Sequence, residues 1–208
     1  KIVLYGTSIQ QGGCASRVGM VPSAMIQREY NLECVNISTS GNARMDLYIA
    51  QAMASIEDAI CFVVDPVPNC TKDRLDTITY DFIKILRTLR PEVPIIMVEG
   101  IMYPYTRHNS FFADYLPQKN ASFRRAYEQH KAENPKGLYY MTHDGQVGPE
   151  MEGTVDGVHL TDYGFRAYAD ILEVIIKKAL DNTGVKYNLT PTCAIVQEKV
   201  IKKQLRNK

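Results

Sequence analysis

Five short apolar runs, each set between stretches of helical spacing, restrict what this chain can fold into more than any other feature. The runs are residues 2–5, 34–37, 59–64, 95–98 and 138–141. Several are rich in β-branched residues, and they read as strands buried on both faces, as parallel strands are. Helical spacing fills the intervals at 20–30, 46–56, 75–89, 121–131 and 163–180. In residues 75–89, Ile78, Phe82, Ile85, Leu86 and Leu89 recur at three- and four-residue steps, and Pro91 ends the pattern. Before Tyr163, Thr161 or Asp162 can serve as N-cap. Strict alternation of strand and helix predicts an α/β fold: a three-layer α/β/α sandwich on a doubly wound, five-stranded parallel sheet.

The chain of 208 residues is long enough for one domain with a full core. We expect that domain to cover 1–180. A turn cluster at Asp181-Asn182-Thr183-Gly184 then opens an extension over 181–208, with a short basic helix after Thr190-Pro191. The 24 basic and 23 acidic side chains leave a formal net charge of +1, which gives no reason to expect nucleic acid as a partner. No apolar run approaches the length of a membrane span. Five cysteines are an odd number and form no CxxC pair. Cys34 and Cys61 read as small core residues, and a single bridge among the rest stays open. The first residues already read as a strand, with no initiator Met and no signal peptide, as expected of a fragment or a processed chain.

In an open parallel sheet, ligands bind beyond the carboxyl ends of the strands. The segments that follow the five runs are Gly6-Thr7-Ser8, Ser38-Thr39-Ser40-Gly41-Asn42, Asp65-Pro66-Val67-Pro68-Asn69, Glu99-Gly100, and a glycine-rich stretch ending in Asp156-Gly157-Val158-His159. Together they hold the parts that acyl transfer needs: a hydroxyl nucleophile, a base, a group to orient the base, and donors for an oxyanion. Ser8 is the candidate nucleophile, His159 the base and Asp156 its orienting carboxylate. Ser8 N–H, Gly41 N–H and the Asn69 side-chain amide are candidate oxyanion donors. The alternative for Gly41 and Asn69 is plain turn formation.

These segments resemble the conserved blocks of the SGNH hydrolases, named for Ser, Gly, Asn and His in chain order. Here those residues are Ser8, Gly41, Asn69 and His159. A bacterial GDSL-like lipase/acylhydrolase subgroup is more similar still. Its members carry stretches like Tyr5-Gly6-Thr7-Ser8-Ile9, Cys14-Ala15-Ser16-Arg17, Ser40-Gly41-Asn42 and Asp156-Gly157-Val158-His159-Leu160-Thr161-Asp162. The resemblance covers about residues 1–180. It implies a flavodoxin-like sandwich and a serine esterase without cofactor or metal. The substrate it implies is a small-molecule or glycan ester, above all a short acetyl ester on carbohydrate. It also implies a periplasmic or extracellular setting, and a β-rich domain upstream of this part. Two blocks depart from the family pattern. Thr7 stands where the family usually has Asp, and Val67-Pro68-Asn69-Cys70 replaces Gly-x-Asn-Asp. Two rivals follow: a non-catalytic carbohydrate-binding protein on the same scaffold, and a lipase- or lysophospholipase-like acylhydrolase.

Other residues have more than one role open. Glu99 either shapes the acyl pocket or caps a neighbouring loop. Arg44 either binds an anionic part of the substrate or forms a surface salt bridge. His143, Asp144, Glu150 and Glu152 near Asp156 and His159 match no metal-binding spacing, so no metal site is expected. His108 is expected in a loop and His130 on a helix surface. Residues 101–118, with Tyr103, Tyr105, Phe111, Phe112 and Tyr115, are expected as a long loop forming one wall of the cleft or a satellite core. Asn36, Asn69, Asn120 and Asn188 head glycosylation sequons.

Overall fold

A computed structural model of the chain describes residues 1–188. The expected helix after Thr190-Pro191 lies outside the described residues. The strands are β1 Ile2–Gly6, β2 Cys34–Asn36, β3 Cys61–Asp65, β4 Ile95–Val98 and β5 Leu138–Met141. The helices are α1 Ser8–Gln11, α2 Pro22–Tyr30, α3 Leu47–Ala54, α4 Lys72–Leu89, α5 Ser110–Glu133 and α6 Asp162–Asp181. The strands form one parallel sheet in the order β2-β1-β3-β4-β5. This is the doubly wound α/β sandwich that the alternation predicts.

Side chains of β1, β3 and β4 alternate between two cores. Ile2, Leu4, Cys61, Val63, Ile96 and Val98 face α2 and α6, where Met25, Ile26, Tyr168 and Leu172 meet them. Val3, Tyr5, Phe62, Val64, Ile95 and Met97 face α3, α4 and α5, against Met53, Phe82, Leu86 and Phe123. Burial on both faces explains why these strands are continuous apolar runs. The first core is tied by ions as well: Arg166 of α6 bonds Glu29 of α2 and Glu173 of its own helix.

Three expectations need correction. Residues 101–118 are not a long loop. A 3-10 turn at Pro104–His108 leads straight into α5, which starts eleven residues before the expected 121. Asn109 caps that helix by accepting from Phe112 N–H at 3.2 Å. Pro117 sits inside α5 and lacks the N–H that would bond the Ala113 carbonyl. Packing of Leu116, Lys119 and Asn120, all buried, carries the helix through. His130 is buried, not on the surface. It stacks on Tyr80 with ring centroids 4.2 Å apart, and its Nε2 donates to the Tyr80 carbonyl at 2.9 Å. Asp65 was expected beyond its strand but is the last residue of β3.

Asp65 is 2% exposed, and among the described residues the one donor its side chain meets is the Tyr168 hydroxyl at 2.9 Å. Gln10 Nε2 donates to that same hydroxyl at 3.2 Å. Burial pushes the Asp65 carboxyl well above the usual carboxylate range, and the Tyr168 bond offsets this only in part. Burial thus favours the neutral form of this carboxyl in the fold.

Close backbone contact fixes where the segment before α6 runs. A Cβ on Gly164 would lie 2.1 Å from the Gly153 carbonyl oxygen, and one on Gly153 would lie 2.5 Å from the Val147 oxygen. Only two glycines let residues 147–153 lie flat on the first turn of α6. Gly164→Ala is expected to cost about 1–3 kcal/mol from overpacking, read as a lower denaturant midpoint at unchanged m-value. Asp65 gives a pH-dependent prediction. A carboxyl whose folded pKa is raised gives its full stability only below the unfolded value of about 3.9, and loses it as pH climbs toward the folded value. Asp65→Asn keeps the neutral shape and cannot ionise. Its urea midpoint should therefore rise relative to wild type as pH climbs through the range above about 4. A difference that stays flat across that range would mean the carboxyl is ionised in the fold.

Candidate active site

The order β2-β1-β3 reverses the winding direction at β1. The connections leaving β1 and β3 therefore diverge and open a crevice between their carboxyl ends. Ser8 leaves β1 there and starts α1. Thr7 caps α1, its side chain accepting from Ile9 N–H at 3.3 Å. A threonine hydroxyl and a carboxylate are both good N-caps, so Thr7 does locally what an Asp could do in its place. Gly6 makes the tight exit possible, since a Cβ there would lie 2.6 Å from Gln10 Cβ and 2.9 Å from the Asp65 carbonyl. Ser8 N–H belongs to the first turn of α1 and has no acceptor within the helix.

His159 comes from the opposite end of the chain. Its loop is a tight hairpin, with a Thr154–Leu160 bridge, Val155 N–H on the His159 carbonyl at 2.8 Å, and Thr161 N–H on Gly153 at 2.9 Å. Gly157 turns it at φ +88°, where a Cβ would strike the Tyr105 ring at 2.5 Å. Asp156 Oδ1 accepts from Val158 N–H at 2.9 Å and His159 N–H at 2.7 Å. Its Oδ2 meets His159 Nδ1 at 2.7 Å, and His159 Nε2 lies 2.9 Å from Ser8 Oγ. The structure thus brings Ser8, His159 and Asp156 into one hydrogen-bonded chain.

Proton positions follow from the charges. The His159 side chain and then the backbone N–H groups of His159 and Val158 hold the Asp156 carboxyl far below its usual range, so it is ionised. An ionised carboxylate only accepts, so Nδ1 carries the proton and Nε2 is left as an acceptor. The Ser8 hydroxyl therefore donates to Nε2. This is the direction in which an imidazole takes a proton from a nucleophile. Gly13 lies against the imidazole edge, where a Cβ would be 3.4 Å from His159 Cδ2. Ser16, in the loop after α1, donates its N–H and its hydroxyl to Asp162 at the start of α6. That clasp ties the loop after Ser8 to the segment carrying His159, and it joins two stretches that the sequence comparison singled out.

The two remaining blocks meet beside this chain. Thr39 N–H bonds the Gly6 carbonyl at 3.0 Å, and Ser40 N–H bonds Gln11 Oε1 at 2.9 Å, which draws the loop after β2 against α1. Gly41 has φ +68° and open space around its Cβ position. Among the described residues nothing accepts its N–H. Asn69 ends a 3-10 turn, Val67–Asn69, and its Oδ1 accepts from Ala43 N–H at 3.3 Å. A backbone N–H can only donate, so this bond fixes which side-chain atom is oxygen. Both Asn69 amide hydrogens then have no acceptor among the described residues.

Glu99 and Arg44 fare differently. Glu99 is not a substrate contact. It is 0% exposed and takes bonds from Arg124, Tyr140 at 2.9 Å, His143 N–H at 3.0 Å and His143 Nδ1 at 2.7 Å. This is the loop-capping role. Burial raises its pKa, but these donors outweigh it and hold the carboxyl down at about 2. Held on Glu99, His143 does not converge with His159. Arg44 is exposed and forms no ion pair among the described residues. The aromatic residues of 103–115 form a wall. Tyr105 covers Gly157, Phe112 meets Tyr105 at 5.5 Å, and Phe111 meets Phe112 at 5.2 Å and Tyr115 at 5.3 Å. The Tyr115 hydroxyl accepts from Lys72 N–H at 3.1 Å, just past the Asn69 turn. The wall thus runs from the His159 loop to the Asn69 turn, with Phe111 63% exposed. Of the sequons, Asn120 is 4% exposed and closed to a glycan.

Comparison with known proteins bears on the fold and the family. A structure of a GDSL-like lipase candidate from Bacteroides ovatus is 32% identical, with a TM-score of 0.83 over 91% of this chain and 54% of that one. A family two carbohydrate esterase from Clostridium thermocellum, solved with cellohexaose, is 16% identical, with a TM-score of 0.65 over 87% and 64%. A carbohydrate acetylesterase family member from Sinorhizobium meliloti is 18% identical, with a TM-score of 0.57 over 87% and 99%. The latter two likenesses speak for the fold alone. This chain spans about half the length of the Bacteroides protein. A search of curated proteins finds no match. The sequence model of the GDSL-like lipase/acylhydrolase family matches residues 1–177, and the chain belongs to that family.

Proposed function

We propose that this protein is a serine esterase that removes short acyl groups, acetyl foremost, from carbohydrate. The observation that carries the reading is the chain Asp156–His159–Ser8, oriented so that the hydroxyl donates to the imidazole. In this mechanism His159 takes the Ser8 proton as Oγ attacks the ester carbonyl. The carbonyl π bond breaks and its electron pair moves onto oxygen. Asp156 holds the imidazolium that results. Ser8 N–H, Gly41 N–H and the Asn69 amide stabilise the oxyanion. The tetrahedral species then collapses, the C–O bond to the leaving alcohol breaks, and His159 protonates that alcohol. Water, deprotonated by the same imidazole, hydrolyses the acyl-enzyme and frees Ser8. General-base assistance of this kind is worth about 10²- to 10⁴-fold.

Two observations support carbohydrate as the alcohol. The exposed Phe111 and the wall beneath it offer flat apolar faces beside polar groups, which suits the C–H face of a sugar ring. Two of the structural neighbours act on carbohydrate, as their descriptions state.

Wild type is expected to turn over p-nitrophenyl acetate and acetylated oligosaccharide, and Ser8→Ala to lose that turnover. Equal rates in the two proteins would remove Ser8 as nucleophile. A strong preference for long acyl chains would favour a lipase-like role. Ligand binding without fluorophosphonate labelling would favour a carbohydrate-binding protein. Asn69→Ala should lower kcat by about 10²- to 10³-fold with labelling by a fluorophosphonate slowed in parallel. A fall of less than threefold would take Asn69 out of the oxyanion hole.

A further inference from the structure

The Asn69 turn is short and makes only two bonds of its own, Asn69 N–H to the Pro66 carbonyl at 3.0 Å and Cys70 N–H to the Val67 carbonyl at 3.2 Å. Something outside must fix its position. Ala43 does so on one side, through Asn69 Oδ1. On the other side stands α5. The Lys119 side chain reaches from that helix, and its Nζ donates to the Pro68 carbonyl at 3.2 Å. Lys119 is 5% exposed and forms no ion pair among the described residues. The Tyr115 ring lies 5.8 Å from Nζ, and the buried Cys70 thiol is also within electrostatic reach. One turn earlier on α5, Tyr115 accepts from Lys72 N–H. One residue later, Asn120 bonds both the N–H and the carbonyl of Gly100 at 2.9 and 3.0 Å. Gly100 in turn abuts Val67, where a Cβ would come within 2.9 Å. One stretch of α5 therefore grips the turn before, within and after its donor residue.

Burying an ammonium against a single neutral carbonyl is unfavourable, and burial pushes the Lys119 pKa down to about 8. A methionine would fill the same space without that penalty. The position thus carries a charge that packing alone does not ask for. The carbonyl it holds belongs to the peptide bond that leads into Asn69. Pro68 narrows φ but removes an N–H, so this turn has one backbone bond fewer with which to tie itself down.

We propose that Lys119 is a positioning residue for the oxyanion donor: its ammonium anchors the Pro68 carbonyl and so aims the Asn69 amide at the reacting carbonyl oxygen. The inference rests on the hydrolase reading above. A loosened donor is present in the ground state but misplaced in the transition state, so the loss should fall on kcat and not on KM.

The test is Lys119→Met, alone and combined with Asn69→Ala, in the full chain. The expected result is a kcat on p-nitrophenyl acetate lower by about 10-fold or more, up to the roughly 10²- to 10³-fold loss of a donor removed outright. KM should stay within about twofold, with fluorophosphonate labelling of Ser8 slowed by the same factor. In the Asn69→Ala background the same substitution should have little further effect, because the group it acts through is gone. Should Lys119→Met not fold, Lys119→Gln carries the same comparison. Unchanged kcat in the single variant, or a loss that multiplies in full with that of Asn69→Ala, would overturn the inference while leaving the hydrolase reading in place. Wild type that neither hydrolyses esters nor labels would overturn both.

Discussion

A parallel sheet that is wound in both directions has one place where neighbouring connections part company, and here it lies between β1 and β3. Everything proposed for this molecule depends on that divergence. The winding sends the chain after β1 into α1 on one face and the chain after β3 toward α4 on the other, so the crevice between them stays open. Ser8 and Asn69 stand on its two banks. The long connection after β5 then reaches back across the sheet end, and the Ser8–His159 bond closes a separation of 151 residues. That bond needs the whole sheet in register. The Gly153–Gly164 contact and the Ser16–Asp162 clasp are what hold the returning segment at the right height.

Of three carboxyl groups near the same end of the sheet, two are held ionised and one is pushed toward its neutral form, and environment decides which. Asp65 and Glu99 are both buried. Among the described residues the Asp65 side chain meets one neutral hydroxyl, so desolvation dominates and favours the protonated form. Glu99 meets a guanidinium, a phenol, a backbone N–H and an imidazole, and these outweigh a comparable penalty. Asp156 is half exposed and loses little solvation, so its three donors act almost unopposed. The ionised Asp156 sets the His159 tautomer.

Legibility in the sequence followed the range of the interaction concerned. The strands at Ile95–Val98 and Leu138–Met141 match their apolar runs, because burial on both faces writes itself into consecutive residues. Thr161 as cap of α6 was equally readable, since the bond spans three residues. Asp156 and His159 were found together because the loop that joins them is local. The start of α5 was not, because a helix that runs through Pro117 and a polar first turn is held by contacts with distant parts of the chain. Glu99, His130 and Lys119 share the same reason. A polar residue gives no local sign that it will be buried, and its partners lie 44, 50 and 51 residues away.

The two departures from the family blocks can be argued on the same footing. A block motif records a geometric requirement, and the requirement can be met by another residue if the surroundings supply what was lost. At the first block the need is an acceptor that starts a helix of one turn, and Thr7 meets it with its hydroxyl. Thr7 is fully buried, where an uncharged cap avoids the desolvation cost of a carboxylate. At the third block Val67 stands where the family has glycine and Cys70 where it has Asp, and the variable position between is Pro68, which cannot donate a backbone hydrogen bond and narrows the conformations open to the turn. The Lys119 ammonium acts on the carbonyl that Pro68 still has. Seen this way, the altered block and the buried lysine are two halves of one arrangement. The turn is preorganised partly by the proline ring and partly from outside by α5, and the donor it carries keeps both of its hydrogens free for the crevice.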